Sequence, residues 1–216
     1  AGACAALEAA DRGAAVTLLD LASEGGGSTR LSSAELYLGG SGGTPPQRAC
    51  GFDDQTADML RYLALAQGVD ANDAKLSAYC EGCAAHFDWL ESLGVPFKRS
   101  FLDERAIMAL SDDCLLYTGN EKAWPFRDVA RPCPRGHNLQ VEGDNGGPLL
   151  MDTLAARVRE RDIEVLLEAR VLTLVTDDGG REVLGLIFRQ NMREHSLRAR
   201  CGVVLCAGGF VMNDAM

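Results

Sequence analysis

Apolar residues follow two rhythms along this chain. In residues 2–12 (GACAALEAADR), 54–67 (DQTADMLRYLALAQ), 72–93 and 149–162 (LLMDTLAARVRERD) they recur near every third or fourth position, the spacing of one helix face. Within 72–93 that face is Leu76, Tyr79, Cys83, Phe87 and Leu90. Gly13 and Gly94 stand where glycine ends a helix, and Asp54 and Asn72 where a side chain caps one. Elsewhere the apolar residues run on without interruption. AAVTLLDLA (14–22) and CGVVLCAGGF (201–210) read as strands buried on both faces. Between them, IEVLLEARVLTLVTDDGGREVLGLIFRQN reads as strand, strand, turn at 177–180 and strand, and a last strand runs through 195–200. Residues 24–43 are a long loop or broken helix dense in Gly and Ser, 45–53 a turn-rich link around Pro45-Pro46, and 95–148 irregular, with short strands around 115–117. A helix, a glycine and a buried strand form the second half of a βαβ unit, so the predicted class is α/β with a parallel sheet.

Charge narrows the partners. The 216 residues carry a net charge of −10, which argues against nucleic acid, whose binding needs a basic face. No apolar run approaches the ~20 residues of a membrane span, and the start shows no signal-peptide pattern. Eight cysteines follow no disulfide-scaffold spacing, which fits reduced thiols and a cytoplasmic location, unless a leader preceded the first residue. Cys80-Glu-Gly-Cys83 is a CxxC without a second CxxC; a zinc or redox role stands against two small residues on a helix, and no metal is expected.

Three glycine-bearing segments are candidate binding elements. Gly2 lies 18 positions before Asp20, the spacing of the third glycine of G-x-G-x-x-G and the acidic residue that accepts ribose hydroxyls. Any helix and strand ending in Asp gives the same half-fingerprint. Gly26-Gly27-Ser28-Thr29-Arg30-Leu31-Ser32-Ser33 offers amides and hydroxyls that can wrap a phosphate; a flexible linker is the other reading, against which Leu31, Leu36, Tyr37 and Leu38 weigh. Ala207-Gly208-Gly209 ends a buried strand and presents bare backbone at the sheet's carboxyl edge. Tyr117 and Trp124 suit either a flat apolar substrate or an aromatic core. Arg135-Gly136-His137 is either a polar cluster near a carboxylate or carbonyl, or a surface loop. His86 reads as structural and His195 as exposed on an edge strand.

In order and spacing these segments resemble the FAD-dependent fumarate reductase and 3-ketosteroid dehydrogenase flavoproteins. The resemblance rests on Gly2, Asp20, Gly26 to Ser33, Ala169-Arg170-Val171 and Ala207-Gly208-Gly209-Phe210. HFDWLESLGVPF, LLYTGNEKAWPFRDVARPCPRGH and GGPLLMDTLAARV are most similar to the 3-ketosteroid branch. It implies a Rossmann-like FAD-binding domain over 1–216 with a helical excursion at about 50–147. It further implies that the chain lacks the first strand and phosphate-loop glycines, the cap domain and the later flavin-binding return, and is therefore marginally stable and inactive alone.

On that resemblance the cofactor is FAD. Asp20 binds the adenosine ribose, and Gly2 faces the pyrophosphate. Gly26, Gly27, Ser28, Thr29, Ser32 and Ser33 line the path to the flavin, Val171 holds adenine through its backbone, and Ala207, Gly208 and Gly209 pack on the FAD. Where the family often has Gly-Gly after the serine, this chain has Ala34-Glu35. The implied activity is dehydrogenation of a steroid-like apolar substrate by hydride transfer to flavin N5, with a fumarate-type C=C reductase or a non-catalytic remnant as alternatives. No catalytic residue is assigned, Tyr117 and Trp124 remaining substrate-side candidates, and the oligomeric state is not specified.

Overall fold

The computed structural model describes residues 1–104, 106 and 109–209. Phe210 of the AGGF motif lies outside them. In chain order the elements are α1 (Gly2–Asp11), β1 (Thr17–Leu19), α2 (Gly27–Arg30), β2 (Leu36–Tyr37), α3 (Pro45–Ala49), α4 (Thr56–Gln67), α5 (Asp73–Ser92), β3 (Leu115–Leu116), α6 (Phe126–Val129), β4 (Gly136–His137), α7 (Gly146–Glu160), β5 (Glu164–Leu166), β6 (Arg170–Thr176), β7 (Val183–Gln190) and β8 (Arg193–Arg198). They fall into two compact units, Ala1–Gly25 with the chain from Leu154 onward, and Gly26–Thr153.

The first unit contains the parallel pair that the α/β reading requires: β1 lies beside β5, with Leu18 opposite Val165. Parallel strands need a long crossover, and here about two thirds of the chain lies between the two. β6, β7 and β8 form an antiparallel meander, in which Ala169, Leu186 and Phe188 are buried and Leu19, Leu166, Leu174, Leu197 and Val203 pack around them. At the far end of α1, the Arg161 guanidinium grips the Asp11 carboxylate with bonds of 2.6 and 3.0 Å. His195 sits on edge strand β8 as expected, and its ring stacks on Phe188 at 5.2 Å.

Two strand expectations need correction. The expected strand 14–22 is ladder-paired only over Thr17–Leu19 and is half-buried. The expected buried strand within 201–210 pairs with no strand over its described residues, and Val204 is 72% exposed. An apolar run becomes a strand only where a neighbour takes up its amides and carbonyls, and none of the described strands lies beside it.

The second unit is built on a buried ion pair. Arg135 and Asp54, 0% and 1% exposed, form a two-pronged bridge of 2.8 and 2.7 Å. Asp54 Oδ2 also accepts the Gly40 amide at 3.0 Å, and a Cβ on Gly39 would collide with that same oxygen, so glycine is required there. Asp54 was expected to cap α4; the carboxylate is instead committed to Arg135, and Gln55 occupies the cap without a side-chain bond. The surface-loop reading of residues 135–137 falls with it, because Arg135 and His137 are fully buried. The link at 45–53 proves to hold α3, started by a capping box between Thr44 and Gln47 that the Pro-Pro signal concealed.

Helix α5 matches its expected span, with the Asn72 side chain accepting the Lys75 amide at 3.0 Å. Cys80 and Cys83 are buried on it, and burial pushes the Cys80 thiol up to about 11, which suits packing rather than thiolate chemistry. His86 stacks on Trp89 at 5.6 Å. His137 Nδ1 lies 2.8 Å from the Arg135 carbonyl, which can only accept, so Nδ1 carries the proton. Nε2 then accepts the Thr44 hydroxyl at 2.7 Å.

Two outcomes follow from these buried groups. Asp54→Asn, which leaves Arg135 charged and unpaired, is expected to destabilise the protein by about 3–5 kcal/mol in urea unfolding at pH 7. Burial lowers His137 from 6.5 to about 4. The unfolded chain therefore holds more protons between those values, so the stability His137 contributes is complete above about pH 6.5 and is lost by about pH 4, roughly 3 kcal/mol in all. Urea midpoints measured from pH 7 to 4.5 are expected to fall, and His137→Gln to flatten that fall.

Candidate functional site

In the first unit, Asp20 prolongs the parallel pairing beyond β1. Its amide donates to the Leu166 carbonyl and its own carbonyl accepts the Ala169 amide, each at 2.9 Å. Oδ1 accepts the Ala22 amide at 2.9 Å, which fixes the carboxylate at the end of the strand, and Oδ2 has no hydrogen-bond partner among the described residues. The Asp20–Ala169 bond brings Asp20 near the start of β6, where Val171 pairs with Phe188 and the register slips before Thr173. Such a slip re-aims the strand.

Gly2 opens α1, and a Cβ there would come within 3.4 Å of Leu18 Cδ1 and 3.6 Å of Cys206 Cβ. Those are ordinary van der Waals separations, so the packing itself does not demand glycine at the start of α1. No side chain caps the first turn of α1, so the amides there are free donors, aligned with the positive end of the helix dipole. Ala207, Gly208 and Gly209 follow Cys206 and are exposed; a Cβ on either glycine would meet nothing. These glycines are not demanded by the chain's own packing.

In the second unit, Gly26 precedes the single turn α2, and no protein group bonds the Ser28 or Thr29 hydroxyl among the described residues. Ser32 is occupied: its hydroxyl donates to the Thr29 carbonyl at 2.8 Å and accepts the Ala34 amide at 3.2 Å. Ala34 adopts φ 53°, a left-handed conformation that favours glycine, at the position where the resemblance led to glycine. Arg30 pairs with Asp152 at 2.5 Å.

What sequence reasoning missed is the brace behind this loop. α7 begins at Gly146-Gly147, and the Gly147 amide donates to the Ser32 carbonyl at 3.0 Å. A Cβ on Gly147 would collide with the Thr29 and Ser32 carbonyls, and one on Gly146 with that of Ser33. The signal was a Gly-Gly-Pro opening an amphipathic helix.

The aromatic candidates separate. Tyr117 is half-buried against Phe52 and Phe101, with ring centroids 6.4 and 6.0 Å away and the Lys122 ammonium 3.8 Å from its own. Burial pushes its hydroxyl up to about 12. Trp124 is 73% exposed.

The donors of each unit suit a part of a dinucleotide such as FAD. A strand-end carboxylate with a free oxygen suits ribose hydroxyls, and an uncapped helix N-terminus suits a diphosphate. Free hydroxyls on a braced loop and glycines facing open space suit a cofactor lying against backbone.

Comparison with known proteins agrees. The crystal structure of 3-ketosteroid-delta4-(5alpha)-dehydrogenase from Rhodococcus jostii RHA1 superposes with a TM-score of 0.89 at 43% identity, covering 94% of this chain and 42% of that one. The 3-oxo-5-alpha-steroid 4-dehydrogenase of Comamonas testosteroni is 29% identical over 86% of this chain and 35% of its own length. The probable fumarate reductase Ifc3 of Shewanella frigidimarina is 30% identical over all of this chain and 32% of its own. The chain thus spans about a third of the length of these two curated relatives. A family model described as FAD binding domain matches residues 1–215, and the chain belongs to that family.

Proposed function

We propose that this chain is the FAD-holding part of an oxidoreductase that dehydrogenates a CH–CH bond beside the ketone of a 3-ketosteroid. The observation that carries the reading is the 43% identity, at a TM-score of 0.89, to a 3-ketosteroid dehydrogenase solved in complex with 4-androstene-3,17-dione. The similarity to Ifc3 keeps a fumarate-type C=C reductase as the second reading. FAD, when bound, supplies the hydride acceptor.

The chain's own residues would bind and orient. The Asp20 carboxylate would accept hydrogen bonds from ribose hydroxyls, and the α1 first turn, which Gly2 opens, would donate to the diphosphate. Backbone around Val171 would meet adenine. Gly26, Gly27, Ser28, Thr29 and Ser33 would line the path toward the flavin, with Ser32 holding their conformation. Ala207, Gly208 and Gly209 would give the cofactor a side-chain-free surface. No catalytic residue is assigned.

Three measurements test this. In the full-length protein, anaerobic addition of a saturated 3-ketosteroid is expected to bleach the oxidised flavin absorbance. If fumarate re-oxidises the reduced enzyme and the steroid leaves the oxidised enzyme unchanged, the reductase reading takes its place. Asp20→Ala is expected to weaken FAD binding about 10- to 100-fold in a fluorescence titration, the range of a lost charge-assisted hydrogen bond. Gly147→Ala is expected to cost about 1–3 kcal/mol by overpacking and to weaken FAD binding by displacing residues 29–33.

A further inference from the structure

In the second unit α4, α5 and β2 border a groove of about 540 Å³. Small-molecule sites are concave, mainly apolar and roughly 300–1,000 Å³, with a few polar groups placed among apolar walls. Leu63, Leu76 and the rings of Tyr37 and Tyr79 make the apolar walls here, and Gln67, Asn72 and Lys75 the polar lining.

The walls are fixed by the chain's own bonds. The Tyr79 hydroxyl donates to the Tyr37 carbonyl, and the Tyr37 hydroxyl donates to Glu121 at 2.8 Å. With both hydroxyls engaged, the two tyrosines offer the groove their rings. Tyr37 also stacks on Tyr62 at 6.1 Å, and Leu76 is 4% exposed. The Asn72 side-chain oxygen accepts the Lys75 amide at 3.0 Å, which leaves the carboxamide N–H groups as donors. Among the lining residues Lys75 alone is charged and none is acidic; Asp73, two positions before it, does not line the groove.

We propose that this groove is a second ligand site, which takes an elongated apolar molecule ending in a carboxylate. The apolar body lies against Leu63, Leu76 and the two rings, where leaving water stabilises it. The carboxylate meets the Lys75 ammonium, with the Asn72 and Gln67 carboxamides as further donors. One ammonium matches the single charge of a carboxylate. A phosphate monoester, which carries nearly two charges at neutral pH, would leave one unmatched, and an alcohol or ketone makes no use of it. None of the residues proposed to hold FAD lines the groove. Its occupancy therefore stands apart from the flavin and from the steroid reading.

The test is isothermal titration of the full-length protein at pH 7 with decanoate, and with 1-decanol as the neutral counterpart, both below their aggregation limits. Decanoate is expected to saturate one site and to bind about 10-fold more tightly than the alcohol, the margin of one charge-assisted hydrogen bond. Lys75→Gln is expected to remove that margin while leaving alcohol binding, flavin absorbance and flavin reduction by a steroid as they were. Leu63→Glu, which puts a charge on the apolar wall, is expected to weaken both ligands. Circular dichroism checks the fold of each variant, and if Leu63→Glu does not fold, Lys75→Gln, a change at an exposed position, decides. Binding that does not saturate, equal affinity for acid and alcohol, or acid binding unmoved by Lys75→Gln overturns the proposal.

Discussion

Two opposite charges removed completely from water hold the second unit together. Asp54 comes from a loop and Arg135 from the residue before β4, 81 positions later, and two bonds join them. A buried pair of this kind contributes little net stability over an apolar substitute, but it is costly to break. Its effect is positional. Asp54 fixes the backbone at Gly40, Arg135 delivers its carbonyl to His137 and to the Leu38 amide, and β4 then seats β2 on one side and β3 on the other. The strands involved are two residues long, too short to set their own register by ladder bonds alone.

Most of the helices were legible because their apolar spacing is unambiguous: α1, α4, α5 and α7 lie within a few residues of where the pattern puts them. The parallel pairing of β1 was legible from Gly13 and the Val-Leu run, although only three residues of it pair. What could not be read were facts that depend on partners distant in sequence. Asp54 has the identity and position of a helix cap; only the arrival of Arg135 makes it an ion-pair carboxylate. Residues 203–206 have the composition of a buried strand, and composition does not supply the neighbour a strand needs. Of the candidate site, Gly2 and Asp20 were singled out by spacing and the other glycines by composition. The engagement of Ser32 and the bracing by Gly147 were not, because both are backbone contacts without a side-chain signature.

The glycines of the candidate site fall into two kinds. Gly146 and Gly147 are required because the chain's own atoms occupy the space a Cβ would take, whereas a Cβ at Gly2 would make ordinary contact. Gly27, Gly208 and Gly209 face open space. The first kind builds the framework and the second leaves backbone approachable, and a dinucleotide fold needs both. Ala34 is a related case, an L-residue in a glycine-like conformation, held by the hydrogen bond between its amide and Ser32.

The seat of Gly147 against the Thr29 and Ser32 carbonyls carries a consequence for inheritance. The serine-rich loop and the start of α7 are separated by more than a hundred residues, yet they share one layer of backbone with no space between them. Neither can drift alone, since a side chain gained at one is a loop geometry lost at the other. A chimera that takes the loop from a relative must take the first turn of that relative's helix with it.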